Sequence, residues 1–318
     1  MTVTSNMAST ANLKAEKRRY RNRCIKRHWQ LYIIFFFPLL SVIIFSYLPL
    51  YGVQIAFKNY VVTDGIWGSA WVGFDHFINF FTSHHFGRVM RNTVGISVYS
   101  LIAGFPIPIL FAILINECRS IRFKKTVQMV SYAPHFISTV VMVSMIIMFL
   151  NPRSGIVGRG LAMITGQMVD YMASAQHFWH IFVWTGIWQS MGFSAVIYIA
   201  ALAGVDPSLH EAAKVDGASK LQKIWHIDLP SIAPTIVILL ILSFGSIVAV
   251  GFERVFLMQN QLNMSHSDVI ATFVFRMGLE QAQFSFSAAV GLFNSLINAV
   301  MLVIVNQIAR RLGETSLW

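Results

Sequence analysis

The charged residues divide this chain unevenly. Six stretches carry no Asp, Glu, Lys or Arg: 28–57, 92–116, 126–152, 171–205, 229–252 and 281–309. Each contains a run of Leu, Ile, Val, Phe, Met and Ala, and each exceeds the roughly 20 apolar residues that a helix needs to cross a bilayer. Backbone groups in lipid must pair within their own segment, so such runs fold as helices. The pattern predicts an all-α polytopic membrane protein with six transmembrane helices, over 30–56, 92–116, 126–150, 177–203, 231–254 and 286–309. Together the uncharged stretches fill more than half the chain, which excludes buried helices of a large soluble protein.

Composition agrees. Of 318 residues, 56% are hydrophobic and 12% charged, against about 25% charged in an average soluble domain. Two cysteines, Cys24 and Cys118, cannot form a disulfide framework. The net charge of +11 could signal nucleic acid, but its distribution explains it otherwise. If six helices alternate, 17 of the 24 Lys and Arg fall on one side: a basic arm over 1–27, Arg119 to Lys125, Lys214 to Lys223, and Arg310 with Arg311. Basic loops remain cytoplasmic, so both termini are expected in the cytoplasm, with 312–318 as a short tail. Nucleic-acid binding loses its support. The first apolar run exceeds the length of a signal peptide and lacks a small-residue cleavage site, so a retained helix is expected.

The outer connections carry local signals. Residues 58–90 hold Trp67, Trp71, Phe74 and Phe77 and predict a small cap. Residues 151–176 open on turn dipeptides and predict a surface helix over 158–172. Residues 255–284 are polar and serve either as connection or as a docking site for an external partner.

The inner loop 206–230 reads DPSLHEAAKVDGASKLQKIWHIDLP. Asp206 suits an N-cap and Pro207 the first helical position. Gly217 suits a left-handed cap, and Ser219 with Gln222 a capping box for a second helix. Leu229-Pro230 is expected to stop that helix and open the next span. Ala212 and Ala213 leave one surface open to close approach by another protein.

Glu211-Ala212-Ala213, followed by Gly217, Ile227 and Leu229-Pro230, resembles the EAA loop of ABC-importer permeases in residue type and spacing. The resemblance extends over the six-helix layout and implies the MetI-like permease fold. The basic arm and the stretch Tyr47–Gly52 resemble the LplB-type permeases of oligosaccharide and polysaccharide importers, those for alginate or aldouronates among them. The resemblance implies a non-catalytic subunit in the bacterial cytoplasmic (inner) membrane. It would pair with a second homologous permease, two copies of a cytoplasmic ATPase and an extracytoplasmic solute-binding protein. Glu211, Ala212, Ala213, Asp216, Gly217, Ile227, Leu229 and Pro230 would couple it to the ATPase. The chain contains no Gly-Lys dipeptide, and a phosphate-cradling Walker A loop needs one. ATP and Mg would therefore be handled by partner subunits, with no cofactor bound by this chain.

Polar and aromatic residues inside spans are candidates for a substrate path. Asn294 and Asn298 share a helix face and serve either interhelical hydrogen bonding or sugar hydroxyls. Trp184 and Trp188, with Gln189 adjacent, offer either packing or a stacking face for a sugar ring. Glu253 and Arg254 close the fifth span, where Arg254 reads as an interfacial anchor or as a contact for the binding protein or an acidic sugar. Asp75 with His84 and His85 lacks the second ligand pair of a metal site. An ion-coupled secondary transporter is the alternative reading, and it would need ionisable residues at the bilayer midplane.

Overall fold

The computed structural model describes residues 27–248 and 250–311. Most of the basic arm 1–27 and the whole of 312–318 lie outside the described residues. The chain divides into two compact units between Gln54 and Ile55. In the first, α1 (Trp29–Val42) continues through a π-helical turn, Ile43–Tyr47, and a 3-10 segment, Leu48–Phe57.

In the second, β1 (Lys58–Asn59) pairs antiparallel with β2 (Ala70–Trp71) to form the expected cap. Phe57 stacks against Trp71 at 5.9 Å and meets Phe74 and Phe77 at 5.4 Å each. Lys58 donates its ammonium to the Ile66 carbonyl at 2.7 Å. Helix α2 (Asp75–Thr82) follows and buries Phe80 among Phe86, Phe273 and Phe293.

The remaining helices are α3 (His84–Gly104), α4 (Pro106–Asn116), α5 (Ile121–Tyr132), α6 (Thr139–Leu150), α7 (Ile156–Thr165), α8 (Phe178–Ala203), α9 (Pro207–Val215), α10 (Lys220–Lys223), α11 (Leu229–Gly245), α12 (Phe252–Met258), α13 (Ile270–Phe275) and α14 (Phe284–Arg311). Among the described residues, five helical segments are long and apolar enough to cross a membrane: Trp29–Phe57, His84–Asn116, Ala175–Ala203, Lys220–Gly245 and Phe284–Arg311. Helix α8 packs against α3, α4, α5 and α11. It approaches α5 closely at Gly192, where a Cβ would collide with the Ser131 carbonyl.

Three expectations need correction. The third span, 126–150, is not one straight helix: Ile121–Phe136 and Thr139–Leu150 meet at 100°. Pro134 sits in a 3-10 turn, and Ser138 restarts the chain by accepting the Val141 N–H, so the break has its own cap. The fifth span, 231–254, leaves helical geometry after Gly245 and resumes as α12 at Phe252. Such a break in lipid needs a substitute partner, and Asn298 supplies it: its Oδ1 accepts the Val248 N–H at 3.0 Å. Finally, Leu229-Pro230 does not end a helix. The π-helical turn Ile224–Asp228 shifts the ladder, with the Leu229 N–H bonding the Ile224 carbonyl. The proline ring is thus accommodated, and Lys220–Gly245 runs as one segment. Of the helix expected over 158–172, only the first part is helical: α7 ends at Thr165, stopped by Gly166 in the left-handed region at φ 70°.

The polar connection 255–284 is built into the protein. Asp268, fully buried, takes the guanidinium groups of Arg88 at 3.0 Å and Arg276 at 2.8 Å. Asn92 donates to the Asp268 carbonyl, and Thr93 accepts the Ile270 N–H. Asn263, also fully buried, donates to the carbonyls of Met172 and Met258. These polar groups tie the connection to α3 and to the 151–176 loop. Burial, then the charge of Arg91, pushes the His266 imidazole below its ordinary pKa.

Candidate functional site

The loop 206–230 builds a helix–turn–helix whose caps follow the local sequence. Asp206 accepts the Ser208 N–H at 2.9 Å. That bond to the backbone, and then the Ser208 side chain, hold its carboxyl below the usual range. At the far end of α9, Ala218 N–H bonds the Ala213 carbonyl and Gly217 N–H bonds that of Lys214. This is a Schellman closure, and it places Gly217 at φ 75°. The Ser219–Gln222 capping box opens α10 with both of its bonds formed. Glu211, Ala212, Asp216 and Gly217 are exposed and Ala213 half-buried. Leu209, Val215, Leu221 and Trp225 add exposed apolar surface beside them. Ile227 is half-buried and Pro230 exposed, while Leu229 and Ile224 pack into the cluster of Ala195, Tyr198, Leu202 and Ile232. The loop is therefore joined mechanically to α8 and α11.

Two ionic contacts brace it. His210 Nε2 lies 3.4 Å from Oδ1 of the buried Asp228, and Lys220 lies 3.7 Å from Glu117.

Helices α3, α4, α8 and α11, Thr139 at the start of α6 and the chain after Gly245 line an open cavity of about 1260 Å³. Six serines line it: Ser97, Ser100, Ser190, Ser194, Ser243 and Ser246. Three of these hydroxyls donate to a backbone carbonyl three or four residues earlier: Ser190 to Gly186 at 2.9 Å, Ser243 to Leu239 at 2.8 Å and Ser246 to Ser243 at 3.3 Å. The buried Ser97 Oγ has no partner. Phe182, Phe193, Gln189, Glu253 and Arg254 are among the other polar and aromatic residues of the wall. Such a lining offers hydroxyls and ring faces, the groups that hold a polyhydroxylated ligand.

The candidate path residues divide. Gln189 lines the cavity and also donates to the Ile137 carbonyl at 3.0 Å, holding the bend between α5 and α6. Trp184, Trp188, Asn294 and Asn298 are not part of its wall. Trp184 and Trp188 each lie two residues from Gly186, and two residues along a helix turn the side chain by about 200°. They face away, with Trp184 donating to Tyr99 Oη at 2.9 Å. Asn298 is occupied by Val248, and the buried Asn294 Oδ1 has no partner. The residues missed at the sequence level are the serines, whose signal is their spacing of three or four: 97 and 100, 190 and 194, 243 and 246.

A bundle of membrane-crossing helices around a hydroxyl-lined cavity, with a capped helix pair projecting from it, defines a helical membrane transport component. The chain belongs to the family of binding-protein-dependent transport system inner membrane components, whose model matches residues 104–314. It is 40% identical to protein LplB of Bacillus subtilis (strain 168) over 92% of both chains. It is 37% identical to the polygalacturonan/rhamnogalacturonan transport system permease protein YteP of the same organism, over 96% of this chain and 95% of that one. Among solved structures it is similar to a chain of a bacterial ABC transporter involved in the import of the acidic polysaccharide alginate. The TM-score there is 0.84 at 38% identity, covering 92% of this chain and 99% of that one. A second structure of a bacterial alginate ABC transporter, in complex with an alginate pentasaccharide-bound periplasmic protein, matches at a TM-score of 0.85 and 38% identity, over 93% of this chain and 99% of that one.

Proposed function

We propose that this chain is one permease half of an ATP-driven, binding-protein-dependent importer of an oligo- or polysaccharide in the bacterial cytoplasmic membrane. The observation that carries this reading is the unbroken segment Lys220–Gly245. It begins at the exposed helix pair and ends at Gly245, two residues after Ser243 in the cavity wall. A push on the loop is thereby transmitted along one rigid element to the path. Two copies of a cytoplasmic ATPase would receive α9 through the exposed Ala212 and the half-buried Ala213, and would hydrolyse ATP with Mg. Glu211, Asp216, Gly217, Ile227, Leu229 and Pro230 shape and support that contact. A second homologous permease would supply the other half of the path. An extracytoplasmic solute-binding protein would deliver the saccharide, as the complex with a periplasmic protein in the related alginate transporter suggests. Both termini would lie in the cytoplasm. An acidic saccharide is favoured by the alginate and polygalacturonan systems among its relatives.

The test is assembly and coupling. Tagged chain expressed with its genomic neighbours should co-purify with a second permease and an ATPase, and the reconstituted complex should hydrolyse ATP faster when loaded binding protein is added. A chain that transports alone, or a complex whose ATPase ignores the binding protein, would remove the reading.

A further inference from the structure

Arg254 differs from its basic neighbours on the outer side. Arg88 and Arg276 are both neutralised by Asp268, and Lys58 is tied to the Ile66 carbonyl. Arg254 has neither: its buried Nε has no hydrogen-bond partner, and no carboxylate among the described residues forms an ion pair with it. Its guanidinium lies over the Phe182 ring, 3.8 Å from the centroid. Both residues line the cavity. One turn further along α8, the group is also set against Gly186, where a Cβ would collide with the guanidinium nitrogens. Gly186 is therefore the residue that leaves room for the arginine in the wall.

A guanidinium withdrawn from water without a counter-charge is costly, and a ring face offsets only part of that cost. The arrangement is explained if the counter-charge arrives with the cargo. A planar guanidinium binds a carboxylate through two parallel N–H···O bonds, which an ammonium cannot do. Glu253, exposed and also in the wall, disfavours a doubly charged group such as a phosphate ester beside one positive charge. The serine hydroxyls around the cavity suit the rest of a sugar. We propose that Arg254, held on Phe182 and admitted by Gly186, is the residue of this path that reads the carboxylate of a uronate unit. It rests on the saccharide-import reading and adds the element that discriminates acidic from neutral sugar.

The test uses the whole importer in proteoliposomes with its binding protein. The probes are a mannuronate tetrasaccharide and its carboxyl-reduced neutral counterpart. Arg254→Gln should lower uptake of the mannuronate by about ten-fold or more and change uptake of the neutral sugar by less than about two-fold. Arg254→Lys, which keeps the charge and most of the stem, should fall between wild type and Arg254→Gln. Gly186→Ala, which displaces the guanidinium, should resemble Arg254→Gln. Co-purification of the whole complex should be unchanged in all three. Equal losses for both sugars would make Arg254 a packing group and overturn the assignment, as would uronate uptake by Arg254→Gln within about two-fold of wild type. Wild-type complex that takes up neither sugar would instead overturn the saccharide-import reading beneath it.

Discussion

His210 Nε2 lies 3.4 Å from Asp228 Oδ1, across the turn that Gly217 makes. The carboxylate is only 1% exposed, while the imidazole keeps 30% of its surface in water. The contact is close enough for electrostatic pairing, but Oδ1 has no aligned hydrogen bond. Removing the histidine therefore takes away the nearest polar partner of a buried carboxylate oxygen that is already short of hydrogen bonds. His210→Ala should destabilise the complex by about 1–3 kcal/mol, the lower part being expected because the imidazole is partly solvated. Adding Asp228→Asn to that variant removes the stranded charge and should recover part of the loss. Thermal unfolding of the purified complex checks both; a single variant as stable as wild type would show that the contact is incidental.

Asn298 gives a prediction of a different kind. Its Oδ1 accepts the Val248 N–H where the chain leaves helical geometry after Gly245. Asn298→Leu leaves that N–H without a partner in a part-buried position, at a cost of about 1–3 kcal/mol. The thermal stability of the complex should fall, while the preference among saccharides in the surviving fraction stays as in wild type. Unchanged stability together with altered preference would return Asn298 to the substrate path.

The spans were legible in the sequence because lipid imposes a long uncharged run on each crossing, and the charges between runs stand out. The inner helix pair was legible as well, since every cap in it is local: Asp206, Gly217, Ser219 and Gln222 act within three residues of their partners. What escaped were relationships set by packing. No charged residue interrupts 126–150, so the 100° bend carries only the faint mark of Pro134 and Ser138. By type, Trp184 and Trp188 read either as packing or as a stacking face for a sugar ring. The helix turn places Gly186, Ser190 and Ser194 on the cavity side instead. Arg254 at the end of an apolar run reads equally as an anchor at the interface. Only its meeting with Phe182, 72 positions earlier in the chain, shows it in the cavity wall.

The turn at Gly217 offers the sharpest test of coupling. Its φ is 75°, and nothing lies within 4 Å of where a Cβ would stand. A substitution there meets no steric obstacle, so any penalty is one of backbone conformation alone. Valine, branched at Cβ, should pay about 1–2 kcal/mol or more to enter the left-handed region. Asparagine enters that region readily. Gly217→Val should therefore open the Schellman closure made by Ala218 and Ala213 and reorient α9 relative to α10, whereas Gly217→Asn should be nearly silent. Ala213→Trp leaves the turn intact and instead fills the half-buried surface beside Ala212. Both Gly217→Val and Ala213→Trp should lose the stimulation of ATP hydrolysis by loaded binding protein, or lose the ATPase from the complex. Saccharide binding by the isolated binding protein should be untouched. ATP hydrolysis by the reconstituted complex, with and without loaded binding protein, is the measurement. Wild-type stimulation in both variants would make this helix pair a connector only, and equal failure of Gly217→Asn and Gly217→Val would show that the turn's left-handed geometry is not what matters.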